Sequence, residues 1–257
     1  MKLVLLQPEL DHSPEADNIG RIRDLLSPVM PSLASDDIVL LPERFDVNES
    51  RARYEADAAA LARDLGCHLV AGSHHEPVDT GTLNSGLLFD ASGQIRGRYE
   101  KLRPYATERE WVQPGSALGE LDIAGRRVLV LICADFWFAD LFARADKLPD
   151  LILVPALSVT RKTTPDYSRA LWRHLAVARA YEFGAYVAIS DWAYPSRLPA
   201  LFASGVGGFA DPTVVDPSAL FSPIGPSGIA VFEIDFERLA AFRRDRVARG
   251  FFWKAKV

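Results

Sequence analysis

The 257-residue chain reads as an α/β protein whose central strands are buried on both faces. Three observations lead there. Short apolar runs alternate with longer helical patterns almost to the end of the chain. Two of those runs, Val128 to Ile132 and Leu151 to Val154, are wholly apolar rather than alternating, so helices must cover the sheet. A hairpin and a set of late strands argue against a purely parallel arrangement.

Leu3 to Leu6 is the first apolar strand. A helical pattern follows from about Pro14 to Leu33, with apolar residues at Ile19, Ile22, Leu25, Leu26 and Val29. Ile38 to Leu41 is the next strand, an alanine-rich helix runs from Arg51 to Leu65, and a strand opens at Leu69 to Gly72. Ser85 to Phe89 and Gln94 to Tyr99 flank Asp90-Ala91-Ser92-Gly93, a good hairpin turn. A short helix is expected near Phe138 to Ala145, between the two wholly apolar strands. A longer one from Tyr167 to Phe183 stops at Gly184, a residue suited to a C-cap. Strands near Tyr186 to Ile189, Ser204 to Phe209 and Ile229 to Ile234 follow. A charged helix from Phe236 to Arg249 comes last. Gly205, Gly207 and Gly208 interrupt a strand pattern, which marks a bulge or a close backbone approach.

Length alone allows one large domain or two small ones. The net charge of -5 and pI near 5.6 leave no basic excess for a phosphate backbone, so nucleic acid is not an expected partner. No apolar run reaches the roughly 18 residues needed to span a bilayer, so no membrane partner is expected. The apolar stretch at the N-terminus is too short for a signal-peptide core. Two cysteines supply neither a disulfide framework nor a four-cysteine zinc site. A reduced, cytoplasmic protein is expected. There is no Gly-x-Gly-x-x-Gly after the first strand and no phosphate-binding loop, so no nucleotide cofactor is expected.

Three reactive side chains share one structural address. Glu43 follows Ile38-Val39-Leu40-Leu41-Pro42, Cys133 follows Val128 to Ile132, and Lys101 follows the strand Gln94 to Tyr99. Sites in α/β proteins gather at strand ends, where a rigid sheet hands over to loops. Each residue alone has an ordinary explanation: a buried core cysteine, a turn glutamate, a solvated lysine. Together they form a base, a nucleophile and a cation suited to a thiol hydrolase.

These segments resemble the nitrilase, or carbon–nitrogen hydrolase, superfamily. Leu40-Leu41-Pro42-Glu43 looks like its general-base segment, Tyr99-Glu100-Lys101-Leu102 like its catalytic-lysine segment, and Leu131-Ile132-Cys133-Ala134-Asp135 like its nucleophile segment. Between the last two, Glu108 to Gly115 resembles the family's Glu-rich stretch. Its second glutamate stands six residues before the proline, which selects Glu108 over Glu110. Arg179-Ala180-Tyr181-Glu182 is similar to an Arg-Ala-x-Glu helix, and Asp211-Pro212 to a late Asp-Pro turn. The resemblance covers almost the whole chain and implies one carbon–nitrogen hydrolase domain over residues 1–257. It also implies a four-layer αββα sandwich of two mixed sheets flanked by helices, no metal or other cofactor, and a homodimer or larger homo-oligomer. Departures occur at Asp191, where relatives often carry Asn, at Gly207, where they carry Ser, and at Pro155 to Ser158, which lack a common aromatic.

A free thiol is only a few per cent ionised at neutral pH. A lysine about 4 Å away would favour the anion by roughly 4 kcal/mol at an effective dielectric near 20, but nearby Glu43 cancels part of that. The reading is therefore a neutral Cys133 whose proton passes to Glu43 as the sulfur attacks. The resemblance implies that Lys101 and the Ala134 N–H stabilise the oxyanion. It leaves a thioester, which water activated by Glu43 hydrolyses. Glu108 positions Lys101 or the substrate nitrogen. Tyr105, Trp111 and Trp137, with Phe136, suggest a partly aromatic pocket, with core packing as the equal alternative. Asp191 is expected to border that pocket.

The expected substrate is a small amide or N-carbamoyl compound. In the family, nitrile-cleaving members tend to have Cys-Trp-Glu and amide-cleaving ones Cys-x-Asp, which Cys133-Ala134-Asp135 matches. Rival readings are a nitrilase, a silent scaffold relative, or a metal hydrolase on His68, His74 and His75. Alternation separates His75 from the other two, and surface histidines beside a strand end explain them better. Cys67 reads as a core residue at a strand start and His174 as structural. The apolar run Gly250-Phe251-Phe252-Trp253 suits a subunit interface or a tail tucked onto its own domain.

Overall fold

The computed structural model describes residues 1–47, 50–196, 198–199, 201–226 and 228–251. The first half holds strands β1 (Lys2–Leu6), β2 (Ile38–Leu40), β3 (His68–Val70), β4 (His74–Val78), β5 (Gly81–Phe89), β6 (Ile95–Glu100), β7 (Gly119–Ile123) and β8 (Arg126–Val130). The second half adds β9 (Leu151–Pro155), β10 (Val159–Thr160), β11 (Tyr186–Ser190), β12 (Phe202–Ala203), β13 (Gly208–Ala210), β14 (Phe221–Pro223) and β15 (Ile229–Glu233). The helices are α1 (Asn18–Leu26), α2 (Arg51–Leu65), α3 (Ala139–Arg144), α4 (Asp166–Phe183) and α5 (Phe236–Ala248).

Alternation along the strands decides the architecture. Leu3, Leu5, Ile38, Leu40 and Val70 point into a core shared with the second sheet. Val4, Leu6, Val39, Leu41 and Leu69 point the other way, onto Ile22 and Leu26 of α1 and Tyr54, Ala58 and Leu61 of α2. The period of two thus puts one face of the sheet on a helix layer and the other on a second sheet. The first sheet has the order β15-β1-β2-β3-β5-β4, with β6 also on β5, and β1, β2 and β3 are parallel. The second has the order β14-β13-β11-β9-β8-β7, with β8, β9 and β11 parallel. Trp172, Ala176, Ala180 and Phe183 of α4 cover its outer face. The result is a four-layer αββα sandwich of two mixed sheets. Ser190 stitches the sheets together, its Oγ accepting from Leu6 N at 3.0 Å and donating to Leu40 O at 2.8 Å.

Several elements differ from the sequence reading. The first helix is shorter than Pro14 to Leu33. Asp17 caps it, its side chain accepting from Gly20 N, and Pro28 disfavours continuation through Ser27. The strand expected over Ser204 to Phe209 forms only from Gly208, while Phe202 and Ala203 pair with β10 instead. At Gly208 a Cβ would lie 2.4 Å from the Phe221 ring, the close approach its position implied. Edge strands β4 and β7 were not anticipated, because Pro77 and the charges of β7 disguise them. Helix α4 ends on Gly184 at φ +54°, as its sequence indicates. Phe252 and Trp253 lie outside the described residues, and Phe251 before them is 69% exposed. Among the described residues no helix is long and apolar enough to cross a membrane.

Candidate active site

Glu43, Lys101 and Cys133 meet at one end of the sandwich. Glu43 leaves β2 and is fixed through its backbone, its N–H donating to Ala156 O at 3.2 Å and its carbonyl accepting from Trp192 Nε1 at 2.8 Å. Lys101 leaves β6, and its N–H donates to Asn84 O at 2.8 Å. Cys133 opens a short 3-10 helix, Cys133–Trp137, just beyond β8. Its φ of +46° lies in the left-handed region, which a side chain rarely adopts. Among the described residues four non-glycine positions have positive φ, and three of them (Arg44, Ala106 and Cys133) belong to or adjoin the site. Strain of this kind persists where the surrounding structure over-determines it.

Lys101 Nζ donates to Glu43 Oε1 at 2.7 Å and to Glu108 Oε2 at 2.6 Å, and all three side chains are largely buried. Burial opposes the ammonium, yet Glu43 and Glu108 outweigh it and hold the Lys101 pKa above its usual value. Burial likewise pushes against the Glu108 carboxylate, but bonds from His75, Lys101 and Asn84 prevail and keep its pKa well down. Glu108 also accepts from Tyr105 N at 3.0 Å, so both its oxygens are engaged. Burial, reinforced by Glu43, raises the Cys133 thiol well above its usual pKa, against the pull of Lys101. Both causes favour a protonated sulfur at rest.

The backbone of Leu157 links Glu43 to Cys133. Its N–H donates to Glu43 Oε2 at 3.0 Å, and its carbonyl lies 3.7 Å from Cys133 Sγ. Asp135 ties the nucleophile turn to the lysine turn, accepting from Leu102 N at 3.0 Å and Arg103 N at 2.7 Å. Burial nonetheless lifts its pKa to about 7.

A cavity of about 440 Å³ opens onto Cys133. Of the residues expected around it, Ala134, Tyr105 and Trp137 line it. Trp111 does not; it packs edge-on against His75 at 4.5 Å and is 46% exposed. Asp191 does not reach the cavity either. It is fully buried and accepts from Ser158 N, Ser158 Oγ and Val206 N, so it holds the wall formed by Ser158 from behind. Phe136 is core, stacked on Trp172.

Two residues of the charge network were missed in the sequence. Asn84 Nδ2 donates to Glu43 Oε1 and to Glu108 Oε1, both at 2.8 Å, and carboxylates that only accept fix which end of the amide faces them. His75 Nε2 lies 3.3 Å from Glu108 Oε1. Burial lowers its pKa, so a neutral ring carrying its proton on Nε2 donates to the carboxylate. Of the three histidines, His74 and His75 are therefore not surface residues, while His68 is partly buried. His75 is buried behind the site, and His74 is buried on the opposite side of β4, stacked on Tyr54 at 4.0 Å. Alternation signals this split, but nothing local to β5 marks Asn84. Among the described residues no group of three or more His, Cys, Asp or Glu is arranged to hold a metal.

The family model for carbon–nitrogen hydrolases matches residues 15–243. Among curated proteins no sequence match is found. Similar solved structures include Nit3 of Saccharomyces cerevisiae, a member of branch 10 of the nitrilase superfamily, with a TM-score of 0.78 and 21% identity over 95% of this chain and 93% of that one. A carbon–nitrogen hydrolase from Helicobacter pylori gives a TM-score of 0.80 at 17% identity, covering 95% and 92%. A mutant of the amidase from Nesterenkonia sp. AN1, whose structure shows Michael addition of acrylamide at the active site cysteine, gives 0.70 at 22%, covering 98% and 100%.

Proposed function

Because the chain belongs to the carbon–nitrogen hydrolase family, we propose that it hydrolyses small amide-type substrates through a thioester on Cys133. The observation that carries this reading is the backbone of Leu157, whose N–H donates to Glu43 Oε2 while its carbonyl lies 3.7 Å from Cys133 Sγ. Glu43 accepts the thiol proton as Sγ attacks the carbonyl carbon. An ammonium has three N–H donors, and Lys101 commits two to Glu43 and Glu108. The third serves the developing oxyanion. The Ala134 N–H, in the first turn of its 3-10 helix, serves it from the other side.

Collapse of this intermediate breaks the C–N bond, and Glu43 returns its proton to the departing amine. Water then attacks the thioester, giving a proton to Glu43 and hydroxide to the carbonyl. The carboxylic acid leaves, and Cys133 recovers its proton. Glu108, with both oxygens engaged, positions Lys101 and exchanges no proton. The run Cys133-Ala134-Asp135 and the likeness in fold to an amidase favour amides over nitriles.

The test is ammonia release across small amides, N-carbamoyl compounds and nitriles, with intact-mass detection of an acyl adduct on Cys133. Turnover of amides with such an adduct is expected. Hydrolysis of nitriles alone, or turnover surviving Cys133→Ala, overturns the reading.

A further inference from the structure

Helix α4 divides two cavities. Tyr167, Leu171 and Trp172 line the one above Cys133, whereas Arg169 and Arg173 line a second of about 720 Å³. The two have no lining residue in common. The second falls within the size range of small-molecule sites. No aspartate or glutamate lines it, and the largely buried Phe221 and Ile224 give it an apolar side.

Nitrogen donors from three separate segments meet in this second cavity. Gly205, at φ +64°, lies in the region that favours glycine and presents a bare α-carbon. Outside its own chain neighbours, the three atoms nearest to where its Cβ would stand are Tyr194 N at 3.2 Å, Arg169 Nη2 at 3.3 Å and Gln7 Nε2 at 3.3 Å. Each donor is tethered. Arg169 Nε donates to Ser204 O at 2.9 Å and to Gly205 O at 3.1 Å, which leaves both Nη ends of the guanidinium over. Gln7 Oε1 accepts from Gly207 N at 2.8 Å, so its amide nitrogen faces elsewhere. Ala193 N donates to Pro8 O at 2.8 Å and holds the turn that carries Tyr194. None of the three nitrogens has a hydrogen-bond acceptor among the described residues. Arg173, one turn along α4 from Arg169, has no hydrogen-bond, ion-pair or ring partner among them. Like charges at i and i+4 cost a helix stability, and an anion held between them offsets that cost.

We infer that this cavity is a second, non-catalytic ligand site that takes an organic phosphate monoester. Two guanidiniums with no carboxylate beside them match the nearly double negative charge of a phosphoryl group better than the single charge of a carboxylate. Its three terminal oxygens suit donors that arrive from three segments, one of them a backbone N–H beside a bare glycine. Phe221 and Ile224 take the organic group. Glu43, Lys101 and Cys133 are not among the lining residues, so the ligand is bound and not turned over. Binding here is independent of the amide-hydrolase reading.

Calorimetry in physiological chloride tests this with phenyl phosphate, benzoate and inorganic phosphate. Phenyl phosphate is expected to bind wild-type protein roughly tenfold or more tightly than either of the others. Arg169→Ala and Arg173→Glu should each weaken it by roughly tenfold or more. Arg161→Ala, above Cys133, and Arg244→Ala, on α5, should leave it unmoved. Arg173 is exposed and makes no contact that its replacement could break, so a loss of binding there is not a loss of fold. Equal affinity for benzoate overturns the assignment to a phosphoryl group, and equal affinity for inorganic phosphate overturns the ester. Binding that is lost in Arg161→Ala and kept in Arg173→Glu puts the ligand above Cys133 and overturns the site, as does the absence of measurable binding. Ammonia release from amides is untouched by either result, so the two readings fail separately.

Discussion

Glu43 and Glu108 are held apart and in register by one nitrogen atom, Nδ2 of Asn84, which donates to an oxygen of each at 2.8 Å. The other end of that amide, Oδ1, is buried with no hydrogen-bond partner among the described residues. An orphaned buried acceptor is costly, so the donor side of Asn84 must outweigh it. Replacing Asn84 by Leu keeps the volume and removes the bridge. Bonds to charged groups are worth roughly 1.5–3 kcal/mol, so kcat is expected to fall about ten- to a hundredfold. KM should move much less, because Asn84 does not line the cavity. Steady-state kinetics on a folded variant check this; an unchanged kcat removes Asn84 from the positioning network.

The two cysteines are expected to separate cleanly. Cys67 is buried at the start of β3, and burial pushes its pKa to about 12. Cys133→Ala should abolish turnover and acrylamide labelling while leaving the melting temperature nearly unchanged. Cys67→Ala should keep both activities. Mass spectrometry of the labelled proteins settles it, and comparable loss of rate in well-folded forms of both refutes the assignment.

Glu43→Gln preserves shape and part of the three hydrogen bonds that Glu43 accepts from Lys101, Asn84 and Leu157, but cannot take a proton. General-base catalysis typically contributes 10²–10⁴-fold. Thioester formation and breakdown should both slow by about that much, measured as separate burst and steady-state phases. Combining Glu43→Gln with Lys101→Met should cost far less than the product of the single losses, since the two share one ion pair. Strict multiplicativity would show that they act independently.

Asp135 gives a pH signature opposite to that of most carboxylates. Its folded pKa of about 7 lies above the unfolded value, so between about pH 4 and 7 the folded state keeps a proton that the unfolded chain has shed. Its contribution is therefore favourable at the acid end and is lost as pH rises toward 7. Asp191, raised to about 6 by burial, acts in the same direction. The melting temperature of Asp135→Asn, compared with wild type from pH 4.5 to 7.5, should improve steadily relative to wild type. Parallel curves would mean that Asp135 ionises normally in the fold.

The three residues proposed to carry the chemistry were legible because both halves of the signal, a reactive side chain and the apolar run before it, are local. Glu43, Lys101 and Cys133 each follow a strand that sequence alone reveals. Asn84 and His75 escaped because they sit inside strands, where an ordinary alternating pattern gives no hint of which polar side chain faces a carboxylate. Nearness to the motifs points Trp111 toward the pocket, and the family resemblance points Asp191 there, yet a ring packed on His75 and a buried carboxylate behind Ser158 are set by packing. The edge strands escaped for another reason. Pro77 and the charges of β7 guard open strand edges, and the same residues erase the apolar pattern by which a strand is recognised.

Glu43 and Lys101 leave the first sheet, whereas Cys133 leaves the second. Neither layer holds a working set by itself. A chain in which only one sheet has formed carries a thiol of ordinary reactivity or an ion pair with nothing to activate. On the proposed mechanism, reactivity would arise at the moment of docking rather than during growth of either layer, and nascent or misassembled chains would be spared stray acylation. During refolding, enzymatic activity would return later than backbone ordering, with the joining of the two halves as the step it records.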